Sequence, residues 1–394
     1  MDVVLYFHPA GSKSFASVMD GVKEIAGKAG WHLQELNTAP TRKNLRELRQ
    51  FWNPVGAIVD AGGSTLSFSA QDLKPLPIVF LDRAPRTLPS NALVVCHDSR
   101  ATASLAAREL LATGFEHFAY IPFPEPRFWS DEREDAFRKA IRLNGKSCAV
   151  FRPGKVASAD SVAYLTQLQD FLAALPKPCG VFAANDRTAE DVLVTAQRLK
   201  LDVPNDLSVI GVDNYAPICR NTIPTLSSVE PDFRRSGSLA ALLLLEVLGT
   251  AGRFTGTRLR SFGPRCVVRR ASTRVLRAPD ADVAAALDLI ERESCAGLTA
   301  AQVVGTFSCS RVSAEIRFRK ATGKSILEAI HAVRLERAKE LLRNPHQQLK
   351  SIADFCGFRN PNSLCKFFLK ETGQTMSAYR LHMSGTEEKP SGRS

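Results

Sequence analysis

The stretch Leu349-Lys-Ser-Ile-Ala-Asp-Phe-Cys-Gly-Phe-Arg-Asn-Pro-Asn-Ser-Leu-Cys-Lys-Phe-Phe-Leu-Lys-Glu-Thr-Gly373 holds two short helical patterns joined by a glycine turn. Ile352, Ala353 and Phe355 make an apolar helix that stops at Gly357, where glycine takes a left-handed turn at little cost. Pro361 suits the first turn of the next helix. In that helix Leu364, Phe367 and Phe368 face inward, which leaves Asn362, Ser363 and Lys366 facing out. The pattern predicts a helix-turn-helix whose second helix is offered to the major groove of a DNA duplex.

Upstream, from Asp282, the pattern is purely helical, with helices expected near 281–295, 299–307, 310–321 and 325–344, before those at 349–356 and 361–372. Thr299 and Ser310 are read as N-caps. The helix from Ser325 to Arg343 repeats Ile326, Ile330, Val333, Ala338, Leu341 and Leu342 on one face. About 20 residues at roughly 1.5 Å each give about 30 Å, close to the ~34 Å turn of B-DNA. Such a connector can set two recognition helices in adjacent grooves. The first of these starts at Ser310 and carries Arg311, Val312 and Glu315 on its outer face. Arg311 and Arg319 can equally hold phosphates, which position without specifying. In the second helix Asn362, Ser363 and Lys366 are the expected readers, since Asn pairs with adenine and Lys with guanine; for Asn362 and Ser363 the alternative is capping or phosphate contact. Phe307, Phe318, Phe355, Phe358 and Phe368 fall at core spacing.

The first two thirds alternate short strands with helices. Strands are expected at Val3–Phe7, Trp31–Leu36, Gly56–Val59, Pro77–Leu81, Leu93–Cys96, His117–Ile121, Cys148–Phe151, Cys179–Ala183 and Leu207–Val212, with helices between them. This alternation implies parallel sheets covered by helices, in two lobes. The ligand crevice of such sheets lies beyond the carboxyl ends of the strands, so Asp82, Arg83, Asn185 and Asp213 stand out as residues that follow strands.

Length and charge fit this division. A chain of 394 residues exceeds one ordinary core, and the net charge of +12 suggests an anionic partner. From Arg253 to Arg277 there are eight arginines and no acid; solvated faces and phosphate contact are both open readings of that run. The nine cysteines form no C-x-x-C pair and no metal-like spacing, so reduced thiols in a cytoplasmic protein are expected, with no cofactor. The run Leu239-Ala-Ala-Leu-Leu-Leu-Leu is too short to span a membrane, and no signal-peptide pattern opens the chain.

The segment from about Asp282 to Met383 resembles the arabinose-regulator class of DNA-binding domain. Ile352-Ala353, Gly357-Phe358, Phe367-Phe368, Gly373 and Tyr379-Arg380 match its second unit, and Phe318-Arg-Lys-Ala-Thr-Gly323 ends its first recognition helix. The segment from about Val3 to Ala271 is similar to lactose/galactose-type repressors and periplasmic ribose-binding proteins. Its marks are Val79-Phe-Leu-Asp-Arg83, Ala184-Asn-Asp186 and Val203-Pro-Asn-Asp-Leu-Ser-Val-Ile-Gly-Val-Asp-Asn214. The two in this order, with Val268-Arg-Arg-Ala-Ser-Thr273 before the junction, resemble the xylose-operon activator family. The expected class is therefore α/β, a two-lobed periplasmic-binding-protein-like domain followed by an all-α domain of two helix-turn-helix units. The expected divisions are a sensor at 1–277, a linker at 278–285, a reader at 286–383 and a disordered tail at 384–394.

The resemblance implies a sugar-controlled regulator, more an activator than a repressor, working on pentose genes as a homodimer with RNA polymerase as a further partner. It implies sugar contacts at Asp82, Arg83, Asn185, Asp213 and Arg133, with Trp129 or Phe15 stacking on the ring. The alternatives are a surface pair for Asp82-Arg83, a turn former for Asp213, core positions for the aromatics, and a helix cap at Asp186. Ser12-Lys-Ser-Phe15 departs from ribose binders in carrying one aromatic where they carry two. In the reader, Ile316 stands where some family members have arginine. A competing class, an alkyl-transfer repair enzyme with a cysteine acceptor, requires an activated thiol. A transport-linked sugar-binding protein is the third reading.

Overall fold

In a computed structural model of the chain, the structure describes residues 1–8, 14–38, 41–60, 76–82, 92–154, 162–249, 256–275, 280–342 and 347–383. They form two compact units: residues 1–202, 206–219 and 226–269 make one, and residues 203–205, 220–225 and 270 onward make the other. The expected boundary at 277 lies outside the described residues.

Val4, Leu5, Tyr6 and Phe7 are all fully buried, because β1 (Asp2–Phe7) runs between β2 (Trp31–Leu36) and β3 (Gly56–Asp60). A strand covered on both faces reads as a continuous apolar run. With β4 (Ile78–Leu81), β5 (Leu93–His97) and β11 (Arg258–Phe262) they form a parallel sheet of order β11-β5-β4-β3-β1-β2. The second sheet contains β6 (His117–Ile121), β7 (Ser147–Val150), β8 (Cys179–Ala183), β9 (Leu207–Val212), β10 (Ser227–Pro231) and β12 (Pro264–Val268). Its order is β12-β10-β9-β8-β6-β7, and only β12 runs antiparallel to its neighbour. Each sheet is the centre of one lobe.

The helices are α1 (Phe15–Ala29), α2 (Arg42–Trp52), α3 (Ser99–Leu111), α4 (Phe128–Leu143), α5 (Val162–Ala174), α6 (Asp186–Arg198), α7 (Ala216–Cys219) and α8 (Phe233–Gly249). The chain crosses between lobes after β5, after β10 and between β11 and β12. These crossings are tied to one another: the Asp98 N–H donates to the Phe262 carbonyl (2.8 Å), and the Asp232 N–H to that of Gly263 (3.1 Å). In the first lobe α1 and α8 touch through two glycines. A methyl added at Gly21 would lie 1.9 Å from the Arg234 carbonyl oxygen, and one at Gly237 would lie 1.9 Å from that of Val18.

Residues 227–268 hold more regular structure than the sequence pattern suggested. β10 has two serines and a proline, so its β-propensity is weak. Leu239–Leu245 belongs to α8, with Ala240, Ala241, Leu243 and Leu244 in the core. The arginine run supplies β11 and β12 at sheet edges, where charge discourages further pairing. Its charges meet acids from distant segments: Arg258 and Arg260 meet Glu246, Arg265 meets Glu230, Arg269 meets Glu109 and Arg274 meets Glu291. The solvated-face reading of this run is the one its ion pairs favour.

The other unit is helical: α9 (Ala281–Glu293), α10 (Ala300–Val304), α11 (Arg311–Thr322), α12 (Ile326–Leu342), α13 (Leu349–Phe355), α14 (Pro361–Thr372) and α15 (Met376–Met383). It contains two cores, and α12 serves both. Ile326, Ala329 and Ile330 pack with Val303, Phe307 and Phe318; Ala338 and Leu342 pack with Ile352, Leu364 and Phe368. At 17 residues α12 is about 25 Å long, somewhat shorter than expected. Phe355 is not in the core but 54% exposed. On α13 the inward direction runs through Ile352, Ala353 and Cys356, and the helix turn carries Phe355 off it. Gly357 adopts φ 72°, and a methyl there would sit 2.7 Å from the Cys295 carbonyl oxygen.

Candidate functional site

The carboxyl ends of the parallel strands bring together a charged cluster. From the first sheet come Asp60 at the end of β3, Asp82 just after β4 and His97 at the end of β5. From the second come Ala184 and Asn185 after β8 and Asp213 after β9. Asp82 (φ 48°), Asp213 (φ 107°) and Asn214 (φ 49°) hold left-handed backbone conformations. Such a conformation costs a non-glycine residue on the order of 1–3 kcal/mol and tends to accumulate where ligands are held.

Arg133, on α4, is 5% exposed and lies at the centre of this cluster. One terminal nitrogen donates to the Ala184 carbonyl (2.5 Å) and the other to His97 Nδ1 (2.9 Å), so a single guanidinium ties one lobe to the other. Its carbon stands 4.7 Å from the centre of the Trp129 ring. Its Nε–H is buried with no partner among the described residues, an expensive condition for a charged donor unless a ligand completes it.

The same contacts settle the imidazole. A guanidinium has only donors, so His97 Nδ1 accepts and Nε2 carries the proton, which it donates to Thr102 Oγ1 (2.9 Å). Burial, and secondarily the charge of Arg133, hold the His97 pKa well below the ordinary imidazole range. The ring also stacks on Phe262 (centroids 5.0 Å apart, 24° between planes), beside the lobe crossings.

Asp82 Oδ1 accepts from the His97 backbone N–H (2.8 Å). Burial raises its pKa to about 6; Asp60 and Asp213 push the same way, while the His97 N–H and Arg133 oppose. Asp186 is 1% exposed and accepts from Ser228 Oγ (2.6 Å), the Tyr215 N–H (2.7 Å) and Cys219 Sγ (3.2 Å). Burial and the neighbouring charge of Asp213 raise its pKa against those bonds. Asp186 therefore braces the loop after Asp213. The cap of α6 is Asn185, whose side-chain oxygen accepts from the Thr188 N–H (3.0 Å) and Oγ1 (3.0 Å). Trp129 is half-buried between Arg133 and Phe123 (5.3 Å between ring centroids).

Of the sequence candidates, Asp82, Arg133, Asp213, Asn185 and Trp129 fall in or beside this cluster. Arg83 lies outside the described residues. Phe15 begins α1, and its side chain lies outside them too. Asp60, His97 and the bracing role of Asp186 were not foreseen. Asp60 and His97 each end a strand, one residue past the apolar run that marks it.

In the helical unit the two recognition helices superpose in sequence at an offset of 50 residues. Ser310 caps α11 through the Ser313 N–H (3.3 Å), and Asn360 caps α14 through the Ser363 N–H (2.9 Å). The Thr322 hydroxyl donates to the Phe318 carbonyl (2.8 Å) and the Thr372 hydroxyl to that of Phe368 (2.7 Å). Each helix ends in a left-handed glycine, Gly323 at φ 74° and Gly373 at φ 73°. Because Asn360 performs the capping, Asn362, Ser363 and Lys366 are left exposed on the outer face of α14. On α11, Arg311, Val312, Ser313, Ile316, Arg319 and Lys320 are exposed. Glu315 is half-buried, and its carboxylate accepts from the Ile326 N–H (3.4 Å) at the start of α12. Arg317 is bound to Asp280 (2.6 Å) and Asp282 (2.9 Å).

Comparison with known proteins agrees with both parts. Residues 107–273 match the model of a periplasmic binding protein-like domain, and residues 304–382 that of a helix-turn-helix domain. The xylose operon regulatory protein of Escherichia coli (strain K12) is 30% identical over 288 residues, 73% of each chain. That of Haemophilus influenzae is 29% identical over 290 residues, 73% of this chain and 74% of the other. A solved xylose-binding transcription activator aligns over 96% of this chain and 97% of its own, with a TM-score of 0.62 and 26% identity. The order of the domains and the extent of these likenesses lead to one assignment: the chain belongs to the family of xylose operon regulatory proteins.

Proposed function

We propose that this protein is a sugar-responsive, DNA-binding transcription regulator, an activator of pentose-catabolic genes whose effector is a xylose-like monosaccharide bound between the two lobes. The observation that carries the reading is Arg133, a buried guanidinium with contacts to both lobes and one N–H unmatched among the described residues, set among carboxylates. A sugar offers alternating hydroxyl donors and acceptors around an apolar ring face. Arg133 donates to a hydroxyl oxygen, Asp82 and Asp213 accept hydroxyl hydrogens, and Asn185 and Arg83 add polar contacts. The Trp129 or Phe15 face covers the C–H surface. A ligand that bonds groups from both lobes at once binds the closed arrangement more tightly than the open one, and that difference is what allows it to act as a switch.

The reader carries Arg311, Val312, Arg319, Asn362, Ser363 and Lys366 toward duplex DNA, while the Glu315 contact to α12 argues for a structural role. A homodimer gives two such readers, and RNA polymerase is the further partner of an activator. The reading places the regulator in the cytoplasm, acting without cofactor or catalytic group. Among the described residues no helix is long and apolar enough to cross a membrane. Cys148 and Cys179, their thiols pushed up to about 12 by burial, are poor candidates for the alkyl acceptor of a repair enzyme.

Titration calorimetry of the full chain with D-xylose and other pentoses tests the site. Arg133→Met, Asp82→Ala and Asp213→Ala should each weaken binding of the preferred pentose about ten- to hundredfold, with circular dichroism confirming that the variants fold. Because the ionised carboxylate is the acceptor, wild-type affinity should fall as pH drops through about 6, where Asp82 takes up its proton. Unchanged affinity in all three variants would remove these residues from the sugar site. A labelled promoter duplex that the chain ignores with and without every pentose would remove the regulator reading itself.

A further inference from the structure

Val312 and Ile316 are 69% and 62% exposed. Four positions apart, they lie side by side on the outward face of α11. Two adjacent β-branched apolar side chains so open to water form a small apolar patch that a partner surface can cover. Their surroundings say which: Arg311, Ser313, Arg319 and Lys320 are exposed around them on the same short helix, and Arg317 on the inner flank is bound to Asp280 and Asp282. The covering surface must therefore be anionic at its rim and apolar at its centre. Their positions are those of Asn362 and Lys366 on α14, fifty residues on, where a recognition helix meets base edges.

We infer that Val312 and Ile316 read the 5-methyl groups of thymines in the major groove, with Arg319 and Lys320 on the flanking phosphates. This rests on the DNA-reading function proposed above and specifies its chemistry for the first unit. Thymine alone presents an apolar group in that groove. The two side chains are separated by about 6 Å along the helix axis, close to two base steps of roughly 3.4 Å. The half-site read by α11 thus carries two thymines about two steps apart, whereas the half-site read by α14 is recognised through hydrogen bonds.

The test uses the full chain and duplexes selected from a random pool. Each thymine of the selected site is replaced singly by deoxyuridine, which removes the methyl and nothing else. At two positions in one half-site, binding should weaken about fourfold per methyl, the value for one buried carbon. Both effects should vanish in Val312→Ala/Ile316→Ala, while Lys366→Ala keeps them and changes the preference in the other half. If deoxyuridine is neutral everywhere although Lys366→Ala still alters the selected site, methyl reading is overturned and DNA reading stands. If Val312→Ala/Ile316→Ala changes the sedimentation of the free protein and deoxyuridine is neutral, the pair covers a protein surface instead. If no duplex is selected at all, the DNA reading falls, and the methyl reading with it.

Discussion

The helices α11 and α14 have one frame and two faces. Caps, buried phenylalanines, threonine bonds and terminal glycines repeat at an offset of 50 residues, yet Val312 and Ile316 stand where Asn362 and Lys366 stand. The positions that hold the helix are kept alike by packing and backbone geometry. The positions that leave it are free to differ, since they are exposed to solvent and hold no place in either core. A duplicated scaffold can in this way read two unlike half-sites, one through shape and methyl groups, the other through donors and acceptors.

The sharpest way to break the comparison is through the frame. Phe318→Ala and Phe368→Ala remove fully buried rings, and each should cost about 3–5 kcal/mol in urea unfolding of the full chain. If one of the pair costs under about 1 kcal/mol, the two units do not share a frame. A smaller effect separates the faces. Lys366→Ala should lose about 1–3 kcal/mol of discrimination at one base pair, whereas Arg319→Ala should weaken all sequences alike and lower the salt slope by about one. A selected motif that changes with Arg319→Ala and not with Lys366→Ala would reverse the assignment. The smallest effects belong to the caps. Ser310→Ala and Asn360→Ala should each cost about 1 kcal/mol, and a difference between them measures how far the scaffold itself has diverged.

How much of this was legible in the sequence varies with the range of the interaction. Gly357, Pro361 and the caps at Thr299 and Ser310 act within one turn of chain, and their roles were readable because local backbone geometry dictates them. Asp82 and Asp213 were readable for a topological reason, the strand ends. His97 was not, since its importance lies in Arg133, 36 positions away on the other lobe. Charge patterns left two readings open for the same reason. The arginines from 258 to 274 look unneutralised in sequence, but Arg269 meets Glu109 across 160 positions. Phe355 was misplaced because a seven-residue helix has too few residues to define its inward face by periodicity.

The lobe built on β1 is assembled from both ends of the sensor. β5 has β11 as its outer neighbour, and α1 is fitted against α8 through Gly21 and Gly237. On the ribosome α8 is complete only at Gly249 and β11 only at Phe262, the latter more than 160 residues after His97. At ordinary synthesis rates the unfinished lobe waits roughly ten to thirty seconds with an apolar flank uncovered. The later-made lobe can complete β6 to β10 during that interval, so the order of maturation runs opposite to the order of translation. A nascent chain stalled before residue 262 should be the species that chaperones bind most avidly.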